Sequence, residues 1–217
     1  MIPDTYCYTV SQQVLTMKIL FISDQESKSL WDYYQPEKLG NPDLMISCGD
    51  LKPEYLEFLV TMAHCPLLYI HGNHDTEYAQ RPPEGCICID DALFSYQGVR
   101  ILGLGGSMKY NQHDLPFQCT EKQMQKRIKK LRFALWRSHG FDILVTHAPA
   151  KNLNDLHDLP HQGFACFLDL LNQYQPKLFC HGHVHLNYAG LPRIDQYQNT
   201  VILNAYERYL YDFRQNA

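Results

Sequence analysis

The feature that most constrains the fold is a polar turn, Gly72-Asn73-His74-Asp75, which directly follows the apolar run 65–70. The apolar run predicts a buried strand. The three polar residues of the turn do not favour strands, and each needs a partner if it is buried. By itself the motif is equally compatible with an ordinary turn, because Asn and Gly tolerate positive φ. A binding site is favoured because similar polar groups follow other strands.

From residue 17 onwards the sequence alternates between strand and helix patterns, which is typical of an α/β fold with a parallel sheet. Thr120 and Gln123 predict a capping box at the start of the clearest helix. Gln97-Gly98 predicts a tight hairpin. Strands are predicted over 19–23, 44–47, 65–70, 86–89, 92–96, 99–104, 142–146, 177–180, 200–204 and 208–212, and helices over 29–34, 54–63, 120–137 and 163–174.

Composition indicates one globular protein. The chain has 217 residues, of which 45% are hydrophobic and 19% charged. We expect residues 1–16 to form an N-terminal extension, either a frayed arm or an added edge strand, and 17–217 to form a single domain. A net charge of −4 argues against a duplex nucleic-acid partner. Without a signal peptide, a membrane-spanning apolar run or a CxxC pair, we expect a cytoplasmic protein with no membrane partner.

Metal-ligand side chains follow five of the predicted strands. In open α/β sheets the ligand site lies beyond the carboxyl ends of the strands, so these side chains are expected to meet. Carboxylate, amide and imidazole donors together suit Mn, Fe or Zn rather than a thiolate site. We interpret His71 and His181 as structural. The five groups are Asp24, Asp50, Asn73 with His74, His147, and His183 with His185.

In this order and spacing, the motifs Gly49-Asp50, Gly72-Asn73-His74-Asp75 and Gly182-His183-Val184-His185 resemble those of the calcineurin-like metallophosphoesterases. The resemblance extends from Met17 to the final strands. It implies a two-layer β-sandwich flanked by helices, a four-layer α/β/β/α arrangement. It also implies that a hydroxide bridging two divalent metals hydrolyses a small phosphomonoester or phosphodiester, for which a nucleotide is one candidate.

The resemblance implies a role for each site residue. Asp50 would bridge both metals. His74 would be the general acid that protonates the leaving group, oriented by Asp75 or by a backbone carbonyl. The remaining ligands would be Asp24 and His185 on the first metal, and Asn73, His147 and His183 on the second.

One motif departs from the family pattern. The family usually has Asp-x-His where this chain has Asp24-Gln25-Glu26. Glu26 would either replace the histidine as an oxygen ligand, which favours Mn or Fe, or turn away and leave the first metal weaker. We favour ligation, because a residue two positions after Asp24 keeps the same side. The alternative function is a weakly active or inactive member that serves as a binding scaffold.

Three further features remain open. The loop containing His157 and His161 is either a polar surface loop or a substrate-facing lid. The basic residues of the predicted helix 120–137 form either a solvated face or a patch that attracts anionic substrates. Two more side chains that could contact a phosphate are Tyr110 and Arg193.

Overall fold

The computed structural model describes residues 14–110 and 115–216. Two large β-sheets form the centre of the molecule. The strands are β1 Val14–Ser23, β2 Leu44–Ser47, β3 Leu67–Tyr69, β4 Ile87–Cys88, β5 Ala92–Tyr96, β6 Val99–Leu104, β7 Ser107–Met108, β8 Gln118–Cys119, β9 Ile143–Thr146, β10 Leu178–His181, β11 Ile194–Tyr197, β12 Thr200–Asn204 and β13 Glu207–Asn216. The helices are α1 Pro53–Ala63, α2 Glu121–Lys130, α3 Arg132–Arg137, α4 Ala165–Tyr174 and α5 Leu186–Ala189.

Each sheet has a parallel centre. The first sheet has the order β13-β1-β2-β3-β4, in which only β13 is antiparallel to its neighbour. The second has the order β11-β12-β10-β9-β6-β5, with antiparallel pairs at both edges. The parallel strands of each sheet therefore end at a common edge, where the loops that follow them meet.

Three apolar layers stack through the molecule. The central layer lies between the sheets and includes Phe21, Ile46 and Val145. A second layer packs the outer face of the first sheet against α1, and a third packs the outer face of the second sheet against α2, α3 and α4. Burial on both faces explains why the central strands are continuous apolar runs. The predicted α/β/β/α arrangement is confirmed.

Several predicted elements differ in the structure. The helix predicted over 29–34 is wrong: the segment forms turns, and Leu30 and Trp31 pack with α1 and its neighbours. The helix predicted over 120–137 is divided at Leu131 into α2 and α3, although its capping box is confirmed. Strand β11 and helix α5 were not predicted.

The predicted N-terminal extension is partly described. Its predicted boundary at residue 16 falls inside β1, where Val14 pairs with Asn216 of β13. Residues 1–13 lie outside the described part of the chain. Within the described residues, no helix is long and apolar enough to cross a membrane.

Candidate metal centre

A cavity of about 370 Å³ lies at the edge where the parallel strands of both sheets end. Six of the residues predicted as ligands or acid line it, which confirms that loops far apart in sequence converge. The structure adds three residues from other loops to its wall. The lining residues are Asp24, Asp50, Asn73, His74, Tyr110, Pro160, His161, His183 and His185.

Three of the predicted ligands adopt a backbone conformation that is rare outside glycine. Asp24, Asp50 and His183 have φ angles of 63°, 57° and 67°. Asp24 directly follows β1, and Asp50 and His183 lie in the loops just after β2 and β10. Such conformations cost about 1–3 kcal/mol each and concentrate at functional sites. The local strain turns these side chains towards the cavity instead of along the sheet.

Glycines allow the ligand loops to touch. A Cβ atom on Gly72 would overlap the carboxylate of Asp50, and one on Gly182 would overlap the hydroxyl of Ser23. Gly72 also lies against Gly49, whose φ of +95° favours glycine. The glycines of all three motifs are therefore needed for the loops to approach one another closely.

The ligands predicted for the second metal form a compact group. The ligand atoms of Asp50, His147 and His183 lie within 4.8 Å of one another. His147 Nε2 lies 3.1 Å from Asn73 Oδ1 and 3.3 Å from Asp50 Oδ2. His147 is fully buried beneath the cavity. The structure thus brings together all four residues predicted for this metal.

Backbone carbonyls orient both imidazoles of this group. His147 Nδ1 donates to the carbonyl of Cys48 at 2.7 Å, which leaves Nε2 for the site. His183 Nε2 donates to the carbonyl of Pro160 at 2.7 Å, which leaves Nδ1 for the site. Hydrogen bonds of this kind set the tautomer and ring orientation of histidine ligands. The carbonyl of Pro160 carries no signal in the sequence.

The ligands predicted for the first metal are less completely assembled. The side chain of Asp24 is only 2% exposed, and His185 Nε2 lies 3.8 Å from its Oδ1. Both oxygens of Asp24 accept the backbone N–H of His183, at 3.0 and 2.9 Å. Glu26 does not line the cavity, and its carboxylate lies 3.8 Å from Lys52 Nζ. Ligation by Glu26 stays a prediction, and this geometry does not support it.

The charges of the buried groups fit a divalent cation. Burial raises the pKa of Asp24, and the nearby Asp50 carboxylate raises it further. Burial opposes protonation of His147, but Asp50 and Asp24 outweigh it and raise the pKa of His147 to about 10. A proton on His147 therefore offsets the negative charge of Asp24 and Asp50, and a bound cation would take over this role. Burial lowers the pKa of His183 to about 3, so its ring is neutral, the form that binds metals.

The predicted catalytic residues occupy different positions. The ring of His74 is exposed and lines the cavity, and its backbone N–H donates to Asp50 Oδ1 at 2.7 Å. Asp75 is buried, and its Oδ2 accepts the backbone N–H groups of Gly72 and Asp50 at 2.7 and 2.9 Å. Asp75 thus holds two ligand loops together, while its predicted role in orienting His74 stays a prediction.

The structure distinguishes the side chains whose roles the sequence left open. His161 lines the cavity, its Nδ1 lies 2.6 Å from Asp158, and its ring centroid lies 5.2 Å from that of His183. Tyr110 also lines the cavity, whereas His157 lines a neighbouring pocket. The Arg193 guanidinium donates to backbone carbonyls of the second sheet and its neighbours, which indicates a structural role.

The two histidines interpreted as structural lie outside the cavity lining. His71 Nδ1 lies 2.6 Å from Asp90, and its ring stacks on Phe117 with the centroids 4.2 Å apart. His181 is fully buried, and its Nδ1 lies 3.0 Å from the carbonyl of Gly182. Both therefore support the loops that carry ligands.

Comparison with known proteins agrees with this arrangement. One solved structure is 13% identical, with a TM-score of 0.64, over 93% of this chain and 99% of its own. TT1561 of Thermus thermophilus is 15% identical, with a TM-score of 0.60 over the same shares. At these identities the similarity shows the fold alone, and no curated protein matches the chain. The profile of the calcineurin-like phosphoesterases matches residues 17–187, and the chain therefore belongs to the calcineurin-like phosphoesterase family.

Proposed function

We propose that this protein hydrolyses a phosphomonoester or phosphodiester with two divalent cations in the cavity and with His74 as the general acid. Membership of the family supports metal-dependent phosphoester hydrolysis in general. The observation that carries the proposal is the convergence of Asp50, His147 and His183, with ligand atoms within 4.8 Å. A cavity of about 370 Å³ suits a small phosphorylated substrate, for which a nucleotide is one candidate.

The chain's own residues would hold the cations in two groups that share Asp50. Oxygen and nitrogen donors favour Mn or Fe, with Zn as a further candidate. When bound, two such ions would supply a hydroxide near neutral pH and would stabilise charge on the phosphoryl oxygens. Asn73, His147 and His183 would hold one ion, and Asp24 and His185 the other.

The position of His74, which is exposed and lines the cavity, supports its proposed role as the acid. Its loop is held to the metal centre by the bond from its own N–H to Asp50, so the ring projects into the cavity from a fixed position. A proton on the imidazole would pass to the leaving oxygen as the bond from phosphorus to that oxygen breaks.

Substitution of His74 tests the proposal. We expect His74→Ala to lower turnover of a chromogenic phosphodiester or phosphomonoester by about 100-fold or more in manganese-loaded protein. Bound manganese, measured by elemental analysis, should stay near the parent value, because His74 is not a ligand. His64→Ala, at the exposed end of α1, is the control and should keep full activity. Undiminished turnover in His74→Ala would exclude His74 as the acid.

The alternative, an inactive binding scaffold, is favoured by one observation, the position of Glu26 beside Lys52. With the family's histidine absent and Glu26 outside the cavity lining, the first ion has fewer ligands. Loading with Mn or Fe separates the two functions: less than one ion per chain without turnover supports the scaffold. Glu26→Ala provides the matched test of ligation, since its metal content falls only if Glu26 is a ligand.

A further inference from the structure

Helices α2 and α3 expose two aromatic rings among basic side chains. Phe133 and Trp136 are 70% and 72% exposed, and their ring centroids lie 5.9 Å apart. Every exposed charged residue of the two helices is basic. We call the set of exposed aromatic and basic residues the α2–α3 face; its cations are Lys122, Lys126, Lys129, Lys130, Arg132 and Arg137.

The two other charged residues of these helices, Arg127 and Glu121, contact other parts of the protein. Arg127 forms ion pairs with Asp90 and Asp91 at 3.3 and 2.8 Å. The Glu121 carboxylate accepts the backbone N–H groups of Ala165 and Cys166, at the start of α4. The α2–α3 face is therefore positive throughout, with no exposed carboxylate among residues 121–137.

This positive charge contrasts with the rest of the molecule. Residues 121–137 contain seven of the 19 Lys and Arg residues but one of the 23 acidic residues, while the whole chain has a net charge of −4. A protein that is acidic overall is thus strongly basic in one place. Such a concentration of positive charge attracts an anionic partner and orients it.

Beside the rings lies an open groove of about 950 Å³ between α3 and the end of α4. Tyr174 and the almost fully buried Leu135 and Leu170 line it, as do Lys129, Lys130 and Arg132. Phe133 and Trp136 also line the groove, and both side chains are largely exposed. Exposed apolar surface bordered by cations is a recognised mark of an interaction site.

The aromatic end of the α2–α3 face, which α3 carries, lies away from the candidate metal centre. Helix α3 ends at Arg137, shortly before β9 begins at Ile143, and His147 follows the opposite end of β9. The four residues of β9 alone separate the two ends by about 13 Å. A small substrate in the cavity therefore does not reach Phe133 and Trp136. The face is suited to docking, and this geometry disfavours the idea that it gathers anionic substrates.

We propose that the α2–α3 face docks the protein on an anionic phospholipid surface. Phe133 and Trp136 would enter the boundary between headgroups and acyl chains, and the surrounding cations would contact the anionic headgroups. Long Lys and Arg stems allow their charges to remain at the headgroups while the aromatic rings are buried. In this orientation the metal centre faces water, open to a dissolved substrate.

The proposal departs from the expectation that the protein has no membrane partner. That expectation depended on the lack of an apolar run long enough to span a bilayer. Peripheral binding needs no such run, since an amphipathic surface with interfacial aromatics and cations is sufficient. An acidic protein, a single-stranded nucleic acid and a second copy of the chain are the competing occupants of the face.

Vesicle flotation of the full-length, metal-loaded protein tests the proposal. We expect at least about 100-fold stronger binding to vesicles of phosphatidylcholine with phosphatidylserine than to pure phosphatidylcholine vesicles. Added salt should weaken the binding. Lys129→Ala/Lys130→Ala should weaken it by about 30-fold, and Phe133→Ala/Trp136→Ala should reduce it further towards the level of pure phosphatidylcholine.

Matched controls come from other parts of the surface. Tyr33→Ala removes an aromatic side chain that is equally exposed, and Lys28→Ala/Lys151→Ala removes two exposed cations. Both controls should bind vesicles like the parent protein. Turnover of a dissolved phosphoester by the face variants should match that of the parent, which shows that they are folded.

Four results would overturn the proposal. These are equal binding to both kinds of vesicle, an equal loss of binding in the control variants, a dimer that dissociates in Trp136→Ala on gel filtration, and tighter binding of a single-stranded oligonucleotide than of the anionic vesicles at the same salt. None of them bears on phosphoester hydrolysis, because the face contributes no residue to the cavity.

Discussion

The buried imidazole of His147 determines the charge balance of the candidate metal centre. The carboxylates of Asp50 and Asp24 both act on it. It lies 3.3 Å from Asp50 and is fully buried, so its charge is poorly screened by water. Desolvation favours the neutral ring, yet the two carboxylates raise the pKa of His147 to about 10. They lower the cost of keeping a proton on the ring in the absence of a cation.

This balance predicts that metal binding releases a proton. Below the raised pKa of His147 the metal-free protein carries a proton on Nε2, and a cation can use that nitrogen only after the proton leaves. Apparent affinity for manganese should therefore rise with pH up to about 10, by at most about tenfold per pH unit. Calorimetric titrations in buffers of different ionisation enthalpy should show close to one proton released per chain at neutral pH.

The control for proton release is His64→Gln, a substitution remote from the centre. It should leave both the affinity for manganese and the number of released protons unchanged. An affinity that does not vary across the neutral range would show that His147 is not protonated in the metal-free protein. The assigned charge balance would then be wrong.

At the scale of elements, the site depends on how closely the loops after β1 and β10 approach each other. Gly182 follows β10, and a Cβ at this position would overlap Ser23 Oγ and lie 2.7 Å from Asp24 Oδ2. The same contact brings the N–H of His183 to Asp24 at 2.9 Å. One methyl group would therefore separate Asp24, a proposed ligand of the first metal, from His183, a proposed ligand of the second.

Gly182→Ala should lower turnover by about tenfold or more, because misplacement of catalytic groups by about 1 Å has effects of this order. Gly190→Ala is the matched control: Gly190 has a φ of +64° and open space around its Cβ position. It should cost about 1 kcal/mol of stability, from the left-handed backbone, without loss of turnover. Urea unfolding and steady-state kinetics measure both effects, and equal kinetics in the two variants would contradict the steric explanation.

At the scale of the whole molecule, the residues of the candidate metal centre come from both sheets. Asp24, Asp50 and Asn73 follow strands of the first sheet, and His147 and His183 follow strands of the second. Ions held by both sets would resist separation of the sheets. Because the unfolded chain lacks the assembled centre, such ions would stabilise the native state by mass action.

Manganese at about 100 times its dissociation constant should add about 2.7 kcal/mol of stability. For a chain of this size that corresponds to a rise in melting temperature of about 5–10 °C. Differential scanning calorimetry of metal-free and loaded protein measures the rise, and a chelator should reverse it. Asp50→Asn should show a much smaller rise, and a full rise in that variant would argue against a centre shared through Asp50.

The sequence alone determined the features that have local causes. Apolar runs predicted the central strands, and the ligand-type residues directly after them predicted where the site would lie. Helical spacing predicted α1 and α4, and Thr120 with Gln123 predicted the cap of α2. Each of these features depends on residues within one turn or one strand, so the local sequence is sufficient to predict it.

Tertiary structure decided the features that depend on distant residues. The segment 29–34 forms turns, and there Trp31 packs edge-on against Tyr55 and Phe58 of α1. The free nitrogen of His147 is set by the carbonyl of a residue 99 positions away, and that of His183 by one 23 positions away. Packing and hydrogen bonding between such residues depend on how the sheets are stacked, which no local pattern encodes. The sequence therefore predicted six of the side chains that line the cavity, whereas only the fold left Glu26 outside the lining and brought the carbonyl of Pro160 to His183.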